Sequence, residues 1–230
     1  MREGTVVTGW LPQPIAGTSV IQQGFFDSFF GFVTHDTLNR HIFAGYIVVG
    51  TGYIASGRDT LCKKFLDTDC EWLLMIDWDI SFEPDAIYKL LDAADPVERP
   101  IIGGAYVTYF GEGGLLRPCW MIETAGAEFA PPDTMTLGEI IEVSTIGMGF
   151  TLIHRSVLEK MQANIQDPWQ FFGHDQIGDD RVGEDLTFCN RARKLGFSVW
   201  GHGGVLLGHT KTKTFQVTDM TDATLSRQKS

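Results

Sequence analysis

Short runs of β-branched and apolar residues alternate along the chain with stretches whose apolar positions recur every three or four residues. That alternation predicts an α/β domain. Thr5 to Leu11 and Gly45 to Val49 read as strands, and between them Ile21, Phe25, Ser28, Phe29 and Phe32 repeat at helical spacing. Leu61, Cys62, Phe65 and Leu66 form a second helical stripe. Trp72 to Ile76 is unbroken in its apolar character and predicts a central parallel strand covered on both faces. Glu83, Pro84 and Asp85 then supply first-turn acids and a proline suited to starting a helix whose buried face is Ile87, Leu90 and Leu91.

Ile101 to Val107 reads as a further strand, and the Gly- and Pro-rich stretch from Gly111 to Asp133 as a loop or small insertion. Val143 to Ile153 has strand character broken by Gly147 and Gly149, which predict a close backbone approach; His154 to Met161 returns to helical spacing. Asn164 to Gly183 lacks periodicity and is expected to be an irregular, ligand-facing segment able to move. Glu184 to Leu195 has acids at its start, Arg191, Arg193 and Lys194 near its end and Gly196 just beyond, all matching helix polarity. Phe197 to Trp200 and Val205 to Leu207 read as short strands, followed by a polar tail from Lys211.

Composition narrows the function. Acidic residues outnumber basic ones by 29 to 18, a formal charge of −11, which disfavours extended contact with nucleic-acid backbones or anionic membranes. A small phosphate-bearing ligand remains compatible where a divalent cation neutralises local carboxylates. The four cysteines, Cys62, Cys70, Cys119 and Cys189, have neither zinc-site nor redox-motif spacing, so buried free thiols are expected. With no signal segment and no apolar run long enough to span, the chain is expected to be soluble and cytoplasmic.

Asp77 and Asp79 stand two apart at the end of the most apolar strand. If extended geometry persists through them, their carboxylates project to one side and share one metal environment; the competing reading gives Asp79 a turn or helix-entry role. The carboxyl ends of strands are also where open α/β sheets form ligand crevices. Glu184 and Asp185 open the late helix, where they serve chemistry or simply complement the helix dipole.

Three groups of residues together resemble family-two-like GT-A glycosyltransferases: Ser56-Gly57-Arg58, the run from Trp72 through Asp77, Trp78 and Asp79 to Glu83-Pro84-Asp85, and Gly183-Glu184-Asp185-Leu186. The resemblance implies a single GT-A domain over residues 1–210, a Rossmann-like fold with a mixed, mainly parallel sheet flanked by helices. Its nucleotide-binding half would cover about 1–110 and its acceptor-side half about 111–210, with 211–230 as a tail. By the same resemblance Asp79 binds a divalent metal, Mn2+ or Mg2+, joined by the late histidine His209, with His202 as the competing candidate. Arg58, Asp77 and Trp78 would bind the nucleotide, Gly147, Met148 and Gly149 would line the donor and acceptor, and Asp185 would be the general base, with Glu184 orienting the acceptor hydroxyl.

The implied donor is a UDP- or GDP-sugar, and the acceptor is left open among glycan, protein and hydroxymethylated DNA. The compact size resembles bacterial or phage-encoded members, which would work in the host cytoplasm. Two rivals stand beside this reading. A metal-dependent nucleotidyltransferase needs a phosphate-cradling loop, for which Gly50 to Gly57 is a weak candidate. A noncatalytic nucleotide-sugar binding module would keep the fold without turnover.

Overall fold

A computed structural model describes residues 4–15, 18–50, 52–110, 115–124, 129–130, 137–177 and 180–211. The tail expected after Lys211 lies outside the described residues. Seven strands build the main sheet: β1 (Val6–Trp10), β2 (Phe43–Val48), β3 (Trp72–Ile76), β4 (Ile101–Ala105), β5 (Ile140–Val143), β6 (Phe150–His154) and β7 (Val199–Leu206). Their order across the sheet is β5-β7-β4-β6-β3-β1-β2. The pairings β1 with β2, β1 with β3 and β4 with β7 are parallel, whereas β6 runs against both β3 and β4 and β5 runs against β7. β5 and β6 are thus the reversed strands of a mixed, mainly parallel sheet.

Five helices complete the described architecture: α1 (Gln23–Leu38), α2 (Ile54–Leu66), α3 (Ala86–Ala93), α4 (Arg155–Asn164) and α5 (Glu184–Lys194). Side chains alternate across a strand, so β3 splits its five buried residues between two cores. Leu73 and Met75 join Leu61 and Phe65 of α2, Val157 and Leu158 of α4 and Phe188 of α5. Trp72, Leu74 and Ile76 join Phe25, Phe29 and Phe32 of α1 and Ile87 and Leu90 of α3 on the opposite face. Burial on both faces explains the unbroken apolar run, although β3 lies between one parallel and one antiparallel neighbour.

Polar anchors set how the layers sit. Asp36, 3% exposed, accepts hydrogen bonds from the Ile42 and Phe43 N–H groups and from Tyr88 Oη–H at 2.8–3.1 Å, tying α1 to β2 and α3. Gly196 follows α5 with φ of 91°, a left-handed position that stops the helix without a Cβ penalty. All four cysteines are free, with Cys62 and Cys189 buried.

Two stretches are more ordered than their composition predicts. Within the expected Gly111–Asp133 loop, Leu115–Pro118 pairs antiparallel with Val107–Phe110, and Trp120–Glu123 pairs with both Phe129–Ala130 and Thr145–Ile146. The Trp120 ring lies over Gly201 of β7, and its Nε1–H donates to the Gly104 carbonyl at 3.3 Å. The segment expected to move is pinned over 167–175. The Phe171 N–H donates to Asp59 Oδ1 at 2.9 Å, Arg191 pairs with Asp175 at 2.6 Å and Asp167 at 3.2 Å, and Phe172 stacks on Phe188 with ring centroids 4.8 Å apart.

Candidate active site

The carboxyl end of β3 is the centre of the site. The Asp77 N–H donates to the Gly149 carbonyl at 2.9 Å, and the Ile80 N–H donates back to the Asp77 carbonyl at 3.1 Å, closing a turn through Trp78 and Asp79. This turn replaces the extended geometry expected after Ile76. As a result Asp77 and Asp79 do not share one environment: each carboxylate faces a different set of partners.

Asp77 faces Arg58, which α2 carries into the core with 4% of its side chain exposed. One guanidinium nitrogen donates to Asp77 Oδ1 at 2.8 Å; the other donates to Glu184 Oε1 at 3.0 Å and to Asp185 Oδ1. Three carboxylates therefore share one cation. Burial lowers the Arg58 pKa, but the pull of Asp185, Asp77 and Glu184 outweighs it and holds the group above its ordinary value. Arg58, expected to meet the nucleotide, is occupied by side chains at both ends of its fork.

Asp185 stands in the first turn of α5, where helix polarity favours an acid. Burial nevertheless pushes its carboxyl up to about 7, with Glu184 and Asp77 adding to the rise against the opposing charge of Arg58 and a hydrogen bond from the Met148 N–H at 3.3 Å. A carboxyl raised in this way is a stronger base, once ionised, than an ordinary one.

Met148 belongs to the turn that feeds β6. The Gly149 N–H donates to Tyr106 Oη at 3.1 Å, and a Cβ on Gly147 would stand 2.2 Å from that same oxygen. Both glycines are required by this close approach of a buried tyrosine. Burial holds the Tyr106 hydroxyl well above its ordinary pKa, so it stays protonated.

Asp79 is 4% exposed and looks toward the end of β7. Gly208–His209 pairs antiparallel with Ile80–Ser81, and the Thr210 N–H donates to the Asp79 carbonyl at 2.9 Å. This short ladder sets His209 Nε2 at 3.5 Å from Asp79 Oδ2 and Lys211 Nζ at 2.7 Å from the same oxygen. Burial would raise the Asp79 pKa, but hydrogen bonds from His209 and Lys211 outweigh it and lower the value. His202 lies elsewhere, its Nδ1 accepting the Gly204 N–H at 3.0 Å inside a bulge of β7.

His209 Nδ1 is 2.8 Å from the Val107 carbonyl, which can only accept, so Nδ1 carries hydrogen. Nε2 is then the ring nitrogen that faces Asp79 Oδ2. Among the described residues, no group of three or more His, Cys, Asp or Glu side chains is placed to hold a metal ion. Asp79 and His209 are the side chains that would hold a hard divalent ion here, and it would take the place of Lys211 Nζ on Asp79 Oδ2.

Between these clusters runs the Tyr106–Thr108 segment, with a cavity on each side. One, of about 300 Å³, includes Tyr106, Cys119, Glu184 and Asp185 in its lining; the other, of about 250 Å³, includes Thr108, Leu116, His209 and Lys211. Trp78 is half-buried in the turn, and its carbonyl accepts the Gln22 N–H at 3.0 Å. Tyr106 and Lys211 were not singled out from sequence. Only the paired glycines at Gly147 and Gly149 hinted that something must approach the turn closely.

The sheet order, the reversed β6 and a ligand crevice at the carboxyl ends of the strands are those of the GT-A glycosyltransferase fold. No protein-family model and no curated protein sequence matches the chain. Among solved structures it is similar to A197 from STIV, with a TM-score of 0.56 at 15% identity over 90% of this chain and 86% of that one. It is also similar to GalNAc-T7 solved with UDP, GalNAc and Mn2+, with a TM-score of 0.55 at 10% identity over 89% of this chain. The match spans 43% of GalNAc-T7, less than half of its length.

Proposed function

We propose that the chain is a glycosyltransferase that moves a sugar from a nucleotide-sugar donor to an acceptor hydroxyl with the help of a divalent metal. The observation that carries this reading is the placement, around the carboxyl end of β3, of the Arg58-held acids Glu184 and Asp185 beside a separate Asp79–His209 pair. One cluster moves a proton and the other meets phosphate. The GT-A fold, seen with UDP and Mn2+ in GalNAc-T7, supports the same division.

In this reading Asp185 takes the proton of the acceptor hydroxyl as that oxygen bonds to the anomeric carbon. The carbon–oxygen bond to the nucleoside diphosphate breaks, and its electron pair leaves with the diphosphate. Glu184 orients the acceptor hydroxyl. Arg58 holds Glu184 and Asp185 against Asp77, so it links the base to the nucleotide side of the crevice. Asp77 and Trp78 face the nucleotide, and the Gly147–Gly149 turn forms the floor under the donor sugar. Mn2+ or Mg2+ held by Asp79 and His209 would supply charge neutralisation for the departing diphosphate.

The test is thermal stabilisation of the protein by UDP- and GDP-sugars with Mn2+, Mg2+ or chelator, repeated in Asp79→Ala. Metal-dependent stabilisation that disappears in the variant, with release of nucleoside diphosphate on turnover, is the expected result. Release of pyrophosphate from nucleoside triphosphates would replace this reading with a nucleotidyltransferase. Donor binding without turnover under any metal would leave a binding module.

A further inference from the structure

The cavity beside Asp185 has a chemical bias that the fold does not dictate. At about 300 Å³ it lies at the small end of the range for small-molecule sites, about 300–1,000 Å³, and has room for one ring rather than an extended chain. Cys119, Met121, Ile146 and Leu186 give it apolar walls, and Glu184 and Asp185 give it an acidic floor. Among the described residues, neither lysine nor arginine lines it.

Arg58 is the cation of that floor, and it is already divided among Asp77, Glu184 and Asp185. Three carboxylates against one guanidinium leave the ionised cluster with two net negative charges. The thiol of Cys119 is held up to about 12 by burial and the Tyr106 hydroxyl is also held protonated, so these neighbours add no charge. An anion placed with its hydroxyl at Asp185 would meet like charge.

Resting on the transferase reading, we propose that this cavity is an acceptor subsite selective for uncharged, single-ring acceptors that lay an apolar face on Met121 and Ile146 and offer one hydroxyl to Asp185. Acceptors carrying a carboxylate or phosphate on that ring are rejected. The cavity on the far side of Thr108, which has Lys211 and His209, is where anionic groups are accommodated instead.

A matched pair of single-ring probes tests this: methyl β-glucoside and methyl β-glucuronide, which differ by a hydroxymethyl group against a carboxylate. Their binding to the full chain with UDP and Mn2+ is measured by ligand-observed NMR. The glucoside is expected to bind at least about tenfold more tightly. Met121→Lys, at a partly exposed wall position, is expected to narrow or reverse that ratio, and Asp185→Asn to narrow it. Equal or tighter binding of the glucuronide by the unaltered protein, or binding of neither probe, overturns the proposal. Donor binding is scored separately by stabilisation with UDP-sugars. Donor stabilisation alongside a preference for the glucuronide sinks only the charge selectivity, whereas a glucoside preference without nucleotide-sugar stabilisation sinks the transferase reading.

Discussion

Asp185 combines two opposed demands. Its raised pKa suits a base, and the same shift means that ionising it in the folded protein is unfavourable. The folded value of about 7 lies above the ordinary carboxylate value, so the folded chain binds the extra proton and this group's share of stability falls as pH rises from about 4 through 7. Asp185→Asn should therefore raise the melting temperature at pH 8, with the gain fading toward pH 4. The same change should lower kcat by about 10²- to 10⁴-fold with donor binding retained. The activity of the unaltered protein should climb with pH through about 7. Arg58→Gln leaves three carboxylates without their shared cation. It should cost roughly 3 kcal/mol or more in urea unfolding and move that acid limb to higher pH. Asp77, Asp79, Glu184, Asp185 and His209 were legible as individual candidates because each sits at a strand or helix end. Their grouping was not: Arg58 meets Glu184 and Asp185 across 126 and 127 residues, and no local pattern encodes such a meeting.

Among the elements, those with a strong period were readable and those defined by their partners were not. The β3 run and the polarity of α5 match the structure because burial on two faces and the helix dipole act within a few residues. The strands between Leu115 and Ala130 form short local hairpins, but their composition is that of turns and the remaining partner of Trp120–Met121 lies at Thr145–Ile146. The turn of Asp77–Ile80 stood in the sequence only as the competing reading for Asp79, since a carbonyl on Gly149 fixes it. The tight fit beside that turn gives a direct test. Gly147→Ala should destabilise by about 1–3 kcal/mol through its clash with Tyr106, and Tyr106→Phe in the same chain should recover part of the loss, a coupling measurable by a double-mutant cycle. The 167–175 segment, anchored through Asp59 and Arg191, should show hydrogen exchange little changed by donor and metal.

At the scale of the whole molecule, the α/β class followed from alternation and the flanked, mainly parallel sheet from the GT-A resemblance, and the acidic balance of −11 agrees with a crevice built from carboxylates. No described helix is long and apolar enough to cross a membrane. What joins the two halves of the crevice is the two-residue ladder between Ile80–Ser81 and Gly208–His209. A chain shortened after Leu206 should keep its seven strands, as read by circular dichroism, and keep glucoside binding, yet lose metal-dependent stabilisation by nucleotide sugars. That ladder also gives the site a history. Lys211 meets Asp79 across 132 residues, so a chain being synthesised has Asp77, Arg58 and Asp185 in hand while its cation-binding half is still to come. In the proposed transferase, donor binding then needs the chain through Lys211, and one that stops short of it would hold its proton acceptor with no diphosphate to act on.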